Sequence, residues 1–123
     1  MKTSKHSNTY KTFDIVVVPF PFVDSAKTKN RPAIVISCHK FNNGAAHSIL
    51  AMITSSQHLT WPNDTNISGL ANCGLIKPSV VRLKLFTVDH RLIKDKIGEL
   101  SSKDQKKLQQ NFLLAFDELT QEI

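Results

Sequence analysis

Short apolar runs rich in Val and Ile alternate with polar segments along most of this chain. Three of these runs, Phe13–Phe20, Pro32–Ser37 and His47–Thr54, are too short for typical helices and predict buried strands. Pro19 and Pro21 lack the amide hydrogen that a regular ladder needs. We therefore expect the first strand to end or to bulge at these prolines.

The second half of the chain continues this pattern with shorter pieces. Ser79–Phe86 alternates in part and predicts a fourth strand, which Thr87–Ile93 would continue. Ile97–Leu100 is long enough only for a short strand. Residues 67–78 contain two glycines and a proline, and they predict short strand or turn pieces.

Polar segments separate the predicted strands. Val23–Asn30 is a polar loop that carries lysines, and Ser55–Asn66 is a polar loop that holds the only Trp. Asn42-Asn43-Gly44 has the composition of a turn. All three segments predict irregular connections between strands.

One helix is well marked near the end of the chain. Ser101 precedes Asp104 by three residues, which is a short version of a helix N-capping signal. Apolar residues then recur at helical spacing, and we expect this stripe to lie on the sheet: Leu108, Phe112, Ala115, Phe116 and Leu119. The helix is predicted over 102–120. Together the elements predict a mainly β fold, a small bent antiparallel sheet or barrel with a C-terminal helix.

The length and composition of the chain indicate a single globular domain without a membrane span. A chain of 123 residues suits one domain, and no apolar run of about 18 residues predicts a membrane span. Met1–Lys11 is polar and has no apolar core, so it does not resemble a secretory signal. We expect residues 1–12 to form a flexible arm, residues 13–123 to form the domain, and the protein to be cytoplasmic.

The net charge of +6 is distributed unevenly. Residues 1–60 carry seven Lys or Arg and two acids, whereas residues 61–123 carry nine and eight. A basic face on such a domain suggests an anionic partner, commonly nucleic acid. Ordinary solubility charge is the alternative.

Metal and cofactor chemistry is not expected. Cys38 and Cys73 fit no zinc spacing and are expected to be reduced, buried thiols. The five histidines are scattered, with no acid cluster beside them. No Gly-rich phosphate loop is present, so a nucleotide cofactor is not expected either.

Two segments carry side chains suited to a phosphate. Arg31 ends the basic loop and opens a buried strand, so its backbone is anchored while its planar fork can face a cleft. Thr54-Ser55-Ser56 places three hydroxyls at a strand end, where they can bond phosphate oxygens. Taken singly, Arg31 is equally consistent with a surface ion pair, and the hydroxyls with the start of a polar loop.

Together these segments resemble the PemK/MazF-like toxins. The similar pieces cover roughly residues 13–120 in consistent order: Phe13–Phe22, Arg31–Ser37, Ile53–Ser55, Ser79–Asp89 and Ile97–Ser101. The resemblance implies a small SH3-like barrel of antiparallel strands, usually a homodimer. It also implies a metal-independent, sequence-selective endoribonuclease that cleaves single-stranded RNA, and a cognate acidic antitoxin that holds it in check.

The resemblance assigns roles to particular residues. Arg31 matches the catalytic arginine of the family, and Thr54 matches its catalytic Thr or Ser, with Ser55 as the neighbouring candidate. The antitoxin is expected to lie across Lys27–Arg31, and DNA is expected as a partner only through the toxin–antitoxin complex.

The general base is left open. Some members have an acid shortly after the Val-Val-Arg segment, whereas Leu83 and Lys84 follow Arg82 here. Some have a His or Glu in the first loop, whereas Asp24 is the only acid there. Asp24 and His58 are therefore the candidates for proton transfer.

Other residues are candidates for RNA contact. Lys27 and Lys29 lie in the basic loop, and Arg82 is either a phosphate contact or a strand surface charge. Trp61 either stacks on an unpaired base or pins its loop to the barrel. Two rival functions remain, a non-catalytic barrel that binds nucleic acid or DNA gyrase, and a module that binds a partner peptide.

Overall fold

The computed structural model describes residues 10–20 and 29–121, and within them six antiparallel strands form one curled sheet. The strands are β1 (Asp14–Phe20), β2 (Lys29–Val35), β3 (His47–Ser55), β4 (Thr65–Asn66), β5 (Ser79–Asp89) and β6 (Asp95–Glu99). Their order across the sheet is β4-β5-β3-β2-β1-β6. This half-barrel, followed by a C-terminal helix, confirms the predicted mainly β fold.

Two irregularities in register bend the sheet. The β1–β6 pairing shifts between Ile15 and Val16, and the β3–β5 pairing shifts between Ala51 and Met52. An extra residue on one strand increases the local twist of an antiparallel pair. The second shift lies just before the end of β3, where the predicted hydroxyl residues stand.

Both faces of the sheet bury apolar side chains. One face packs under the C-terminal helix and forms what we call the helix-side cluster, which includes Ile15, Ile34, Ala51, Ile53, Val81 and Leu108. The other face forms the far-side cluster, which includes Val16, Val18, Ala33, Val35, Leu50 and Val88. Alternate residues of the central strands therefore serve opposite cores, as the period of two requires.

The C-terminal helix is shorter than predicted. It runs as α2 (Ser102–Ala115), and a separate turn, α3 (Asp117–Thr120), follows. Leu108 is 3% exposed, whereas Leu119 is 73% exposed, so the predicted stripe packs on the sheet only through its first part. Within the described residues the second half of the stripe finds no strand to bury it, although Phe112 and Phe116 stack with ring centroids 4.5 Å apart.

The capping prediction at Ser101 is confirmed. Its hydroxyl accepts a hydrogen bond from the amide of Asp104, and the buried carboxylate of Asp104 accepts bonds from the Ser68 and Gly69 amides and the Ser68 hydroxyl. Burial by itself would raise the pKa of Asp104, but these hydrogen bonds lower it below its ordinary value. The carboxylate thereby ties α2 to the segment after β4.

The turn predicted at Asn42-Asn43-Gly44 is wrong, because these residues lie in a helix, α1 (His39–Ala45). Asn42 is fully buried and its amide donates to the carbonyl oxygens of Tyr10 and Ser37. Its side-chain oxygen accepts from the Ser37 hydroxyl. These tertiary bonds hold the asparagine in a helix against its preference for turns.

Other boundaries and exposures also differ from prediction. β2 spans Lys29–Val35 instead of Pro32–Ser37. β5 continues past Phe86 as predicted, but it ends at Asp89 instead of Ile93. Tyr10 is buried and the Thr12 hydroxyl donates to the Ser37 carbonyl, so the described end of the predicted arm packs on the domain; residues 1–9 lie outside the described residues. Cys73 is buried, which raises the pKa of its thiol to about 11, whereas Cys38 is exposed.

We expect Asp104→Asn to lower the free energy of unfolding by about 2–3 kcal/mol at pH 7, because bonds to a charged acceptor are lost. The native pKa is lowered, so the contribution of Asp104 is complete above the ordinary carboxyl range and is lost as the pH falls below about 4. Urea unfolding at several pH values measures both effects. The exposed Asp117→Asn is the matched control, and an equal loss in both variants would contradict the assignment.

Candidate active site

The register of the sheet brings Arg31 and Thr54 to the same end of adjacent strands. The β2–β3 pairing runs from Val35↔Leu50 to Ala33↔Met52. Arg31 lies two residues before Ala33 on β2, and Thr54 lies two residues after Met52 on β3. Residues two positions apart on a strand project to the same face, so Arg31 and Thr54 stand beyond the same end of this pairing and on the same face. That face is the one that carries the far-side cluster, since Val18 pairs with Arg31 on β1.

Arg31 is exposed at the start of β2. Its guanidinium carbon lies 5.8 Å from the centre of the Phe20 ring, a cation–π distance. Among the described residues, no hydrogen bond or ion pair engages the guanidinium. Its donors are therefore available to an anion.

Thr54 shares a hydrogen bond with His58. Oγ1 of Thr54 and Nδ1 of His58 lie 2.8 Å apart, and the direction of the bond depends on the imidazole tautomer. The turn that carries His58 is held by Ser55, whose carbonyl accepts from the His58 amide and whose hydroxyl accepts from the Gln57 amide. Ser55 thus shapes the turn, while Thr54 meets the imidazole.

Arg82 is 9% exposed and faces an acid that the sequence reasoning missed. Its Nε donates to Oδ1 of Asp64 at 3.2 Å, and one terminal nitrogen donates to Oδ2 at 2.9 Å and to the Leu59 carbonyl at 2.6 Å. These bonds to Asp64 raise the pKa of Arg82 and keep it charged. Leu83 and Lys84 follow Arg82 along its strand, whereas Asp64 comes from the loop that folds back over β5.

Trp61 lies against this ion pair. Its ring centre is 5.7 Å from the guanidinium carbon of Arg82 and 5.2 Å from Nζ of Lys84, and its amide donates to the carboxylate of Asp64. The side chain still has 39% of its surface exposed. Trp61 therefore helps to pin the loop and also keeps an accessible ring.

A cavity of about 340 Å³ opens between this loop and β5. Its lining joins the Thr54–His58 region to the Arg82–Asp64 pair: Ser56, His58, Thr60, Trp61, Asn63, Asp64, Asn66, Val80 and Arg82. Arg31 does not line it. We call this space the loop cavity.

The other sequence candidates are only partly placed. Lys29 is exposed at the start of β2, opposite Phe20. Asp24 and Lys27 lie outside the described residues. Within 10–20 and 29–121, no group of three or more His, Cys, Asp or Glu is arranged to hold a metal, and no helix is long and apolar enough to cross a membrane.

Comparison with known proteins decides the family. The model of the PemK-like, MazF-like toxin of type II toxin–antitoxin systems matches residues 11–116. This chain belongs to that family. A search of curated proteins found no significant match.

Solved structures of MazF toxins have the same fold. Toxin MazF-mt6 of Mycobacterium tuberculosis is 21% identical, with a TM-score of 0.68 over 85% of this chain and 96% of that one. An endoribonuclease in complex with its cognate antitoxin, from a mycobacterial species, is 14% identical, with a TM-score of 0.71 over 89% and 96%. The MazE–MazF complex of Deinococcus radiodurans (Form-III) is 15% identical, with a TM-score of 0.69 over 88% and 96%.

We expect Asp64→Ala to destabilise this toxin-family domain, because Arg82 loses both carboxylate bonds while still shielded from water. The urea midpoint should fall, and the emission of Trp61, the only Trp, should move to longer wavelength as its loop loosens. Asp89→Ala removes a carboxylate from the exposed Arg91 and should change the midpoint much less. Equal effects of the two variants would contradict the structural role of Asp64.

Proposed function

We propose that this PemK/MazF-like chain is a metal-independent endoribonuclease that cleaves single-stranded RNA. The observation that supports the proposal is the hydrogen bond between Thr54 and His58 at the end of β3, next to the strand that carries Arg31 near its start. A guanidinium that makes no hydrogen bond or ion pair within residues 10–20 and 29–121, a hydroxyl and an imidazole are the groups that phosphodiester cleavage needs.

The reaction uses a nucleophile that RNA itself carries. The 2′-oxygen forms a bond to the adjacent phosphorus as the bond from phosphorus to the 5′-oxygen breaks. The products are a 2′,3′-cyclic phosphate and a 5′-hydroxyl, and no water is consumed. Arg31 donates to the phosphorane oxygens as their charge grows, which is stabilisation of the oxyanion type.

Proton transfer falls to Thr54 and His58. A neutral imidazole accepts the Thr54 hydroxyl at Nδ1, which leaves the oxygen lone pairs of Thr54 free to accept the 2′-hydroxyl proton. The proton thus passes to His58 through Thr54. The departing 5′-oxygen takes a proton from solvent, and His58 then returns its proton to solvent, so no proton is gained or lost. Arg31 cannot serve as the base because arginine remains protonated in proteins. Asp24, the other candidate, lies outside the described residues.

Regulation by an antitoxin is part of the same proposal. Two similar structures are complexes, one of a mycobacterial endoribonuclease with its cognate antitoxin and one of MazE with MazF from Deinococcus radiodurans. We infer that an acidic, initially disordered segment lies across Lys27–Arg31 of this chain and blocks RNA. A homodimer in the cytoplasm, contacting DNA only through the antitoxin complex, completes the proposed assembly.

We expect purified protein to cleave mixed-sequence single-stranded RNA in EDTA and to leave 2′,3′-cyclic phosphate ends, identified by mass spectrometry. Arg31→Ala and Thr54→Ala should each slow single-turnover cleavage by about 100- to 1000-fold. Arg31→Ala removes a donor at the phosphorane, and Thr54→Ala removes the hydroxyl that relays the 2′-hydroxyl proton to His58. Arg91→Ala, at an arginine whose side chain is 87% exposed, is the matched control.

Two outcomes would decide against this mechanism. Near-normal cleavage by a folded Arg31→Ala protein would remove Arg31 from the site. Intact RNA after incubation with folded wild type would instead favour the non-catalytic barrel that binds nucleic acid or DNA gyrase.

We expect His58→Gln to slow single-turnover cleavage by about 100-fold or more, since Gln can hold the Thr54 hydroxyl without accepting its proton. Single-turnover rates of wild type and variant on the same RNA measure the difference. Equal rates would exclude the imidazole as the base.

A further inference from the structure

The loop cavity has polar walls with unused hydrogen-bonding capacity. Among the described residues, the side chains of Ser56, Thr60, Asn63 and Asn66 make no hydrogen bond with another residue. Hydroxyls and amides offer both donors and acceptors. At about 340 Å³ the cavity lies at the lower end of the size range of small-ligand pockets.

The charges in the cavity are already matched. The guanidinium of Arg82 is engaged by both carboxylate oxygens of Asp64 and by the Leu59 carbonyl. A phosphate would compete with Asp64 for these donors and would meet its negative charge. Neutral donors and acceptors beside a neutralised ion pair suit the edge of a nucleobase better than a phosphate.

The loop around the cavity is held in shape before any ligand binds. Asp64 bonds Arg82 and the Trp61 amide, and the Asn111 amide of α2 donates to the Asp64 carbonyl and to the Thr65 hydroxyl. A preformed site loses less conformational entropy on binding. The partly exposed ring of Trp61 adds a surface on which any base can stack.

The cavity also adjoins the proposed reaction centre, because His58 both lines it and bonds Thr54. We propose that the loop cavity holds one nucleobase of the RNA next to the scissile phosphodiester, with Trp61 stacking on it and Asn66 reading its edge. This inference rests on the proposed ribonuclease function and assigns part of its sequence selectivity to the loop cavity.

Cleavage mapping tests the specificity. Random-sequence RNA is digested by wild type, Asn66→Ala and Asn43→Ala, and all ends are sequenced. Asn66 is exposed on β4, so its truncation should leave the fold intact, and Asn43 is an exposed asparagine of α1 outside the cavity. Asn66→Ala should relax the preference at one position beside the cut by about tenfold, the discrimination that a good base-edge contact provides. The Asn43→Ala profile should match wild type.

Binding without cleavage gives a second readout. Short 2′-O-methyl homopolymers of A, C, G and U lack the nucleophile, so they report binding alone through quenching of Trp61 fluorescence. One homopolymer should quench at a concentration about tenfold lower than the others, and Asn66→Ala should reduce this difference. Inorganic phosphate should not quench.

The two readouts separate failure of this inference from failure of the proposed function. Base-selective quenching without any cleavage would support the base site while overturning the ribonuclease. Cleavage whose sequence profile is unchanged by Asn66→Ala, with equal quenching by all four homopolymers, would overturn the base site and leave the ribonuclease standing.

Discussion

The register between β2 and β3 is set by the two apolar cores, one on each face of the sheet. Ile34 and Ala51 face the helix-side cluster, whereas Ala33, Val35 and Leu50 face the far-side cluster. A slip by one residue would exchange the faces of every side chain. Because both faces are buried, such a slip would take apolar side chains of both cores out of their packing positions. The same register brings the strand ends that carry Arg31 and Thr54 to one end of the sheet, so the packing of the cores also bears on the proposed chemistry.

Burial separates the roles of the two arginines near the site. Arg82 is 9% exposed, and a shielded charge needs a partner, which Asp64 supplies. Arg31 is exposed, and within the described part of the chain its guanidinium makes no ion pair. One guanidinium therefore holds a loop, whereas the other is accessible for the phosphate contact proposed for it. The two hydroxyl candidates also differ in role. The Ser55 hydroxyl accepts from the Gln57 amide within its turn, whereas the Thr54 hydroxyl is hydrogen-bonded to His58.

Local patterns predicted the strands well because short β-branched runs fit only a pleated, buried surface. The prediction failed where tertiary bonds outweigh local preference. Asn42 lies in a helix because its side chain bonds Tyr10 and Ser37, residues that the turn rule does not consider. The apolar stripe of the last helix was predicted to be buried throughout, but periodicity does not report where the sheet beneath it ends. Leu119 is therefore exposed despite its helical spacing.

The sequence by itself determined the mainly β fold with its terminal helix, the order of the long strands and the likeness to the PemK/MazF toxins. It also singled out Arg31, Thr54 and His58, since residue types and their order are local information. Only the tertiary structure decided that His58 bonds Thr54 and that Asp64 forms an ion pair with Arg82, eighteen residues away. Thr54 and His58 are only four residues apart, but their contact depends on the turn that Ser55 holds. Asp64 and Arg82 meet only after loop and strand have folded together, because contact across a sheet depends on register and burial rather than on spacing.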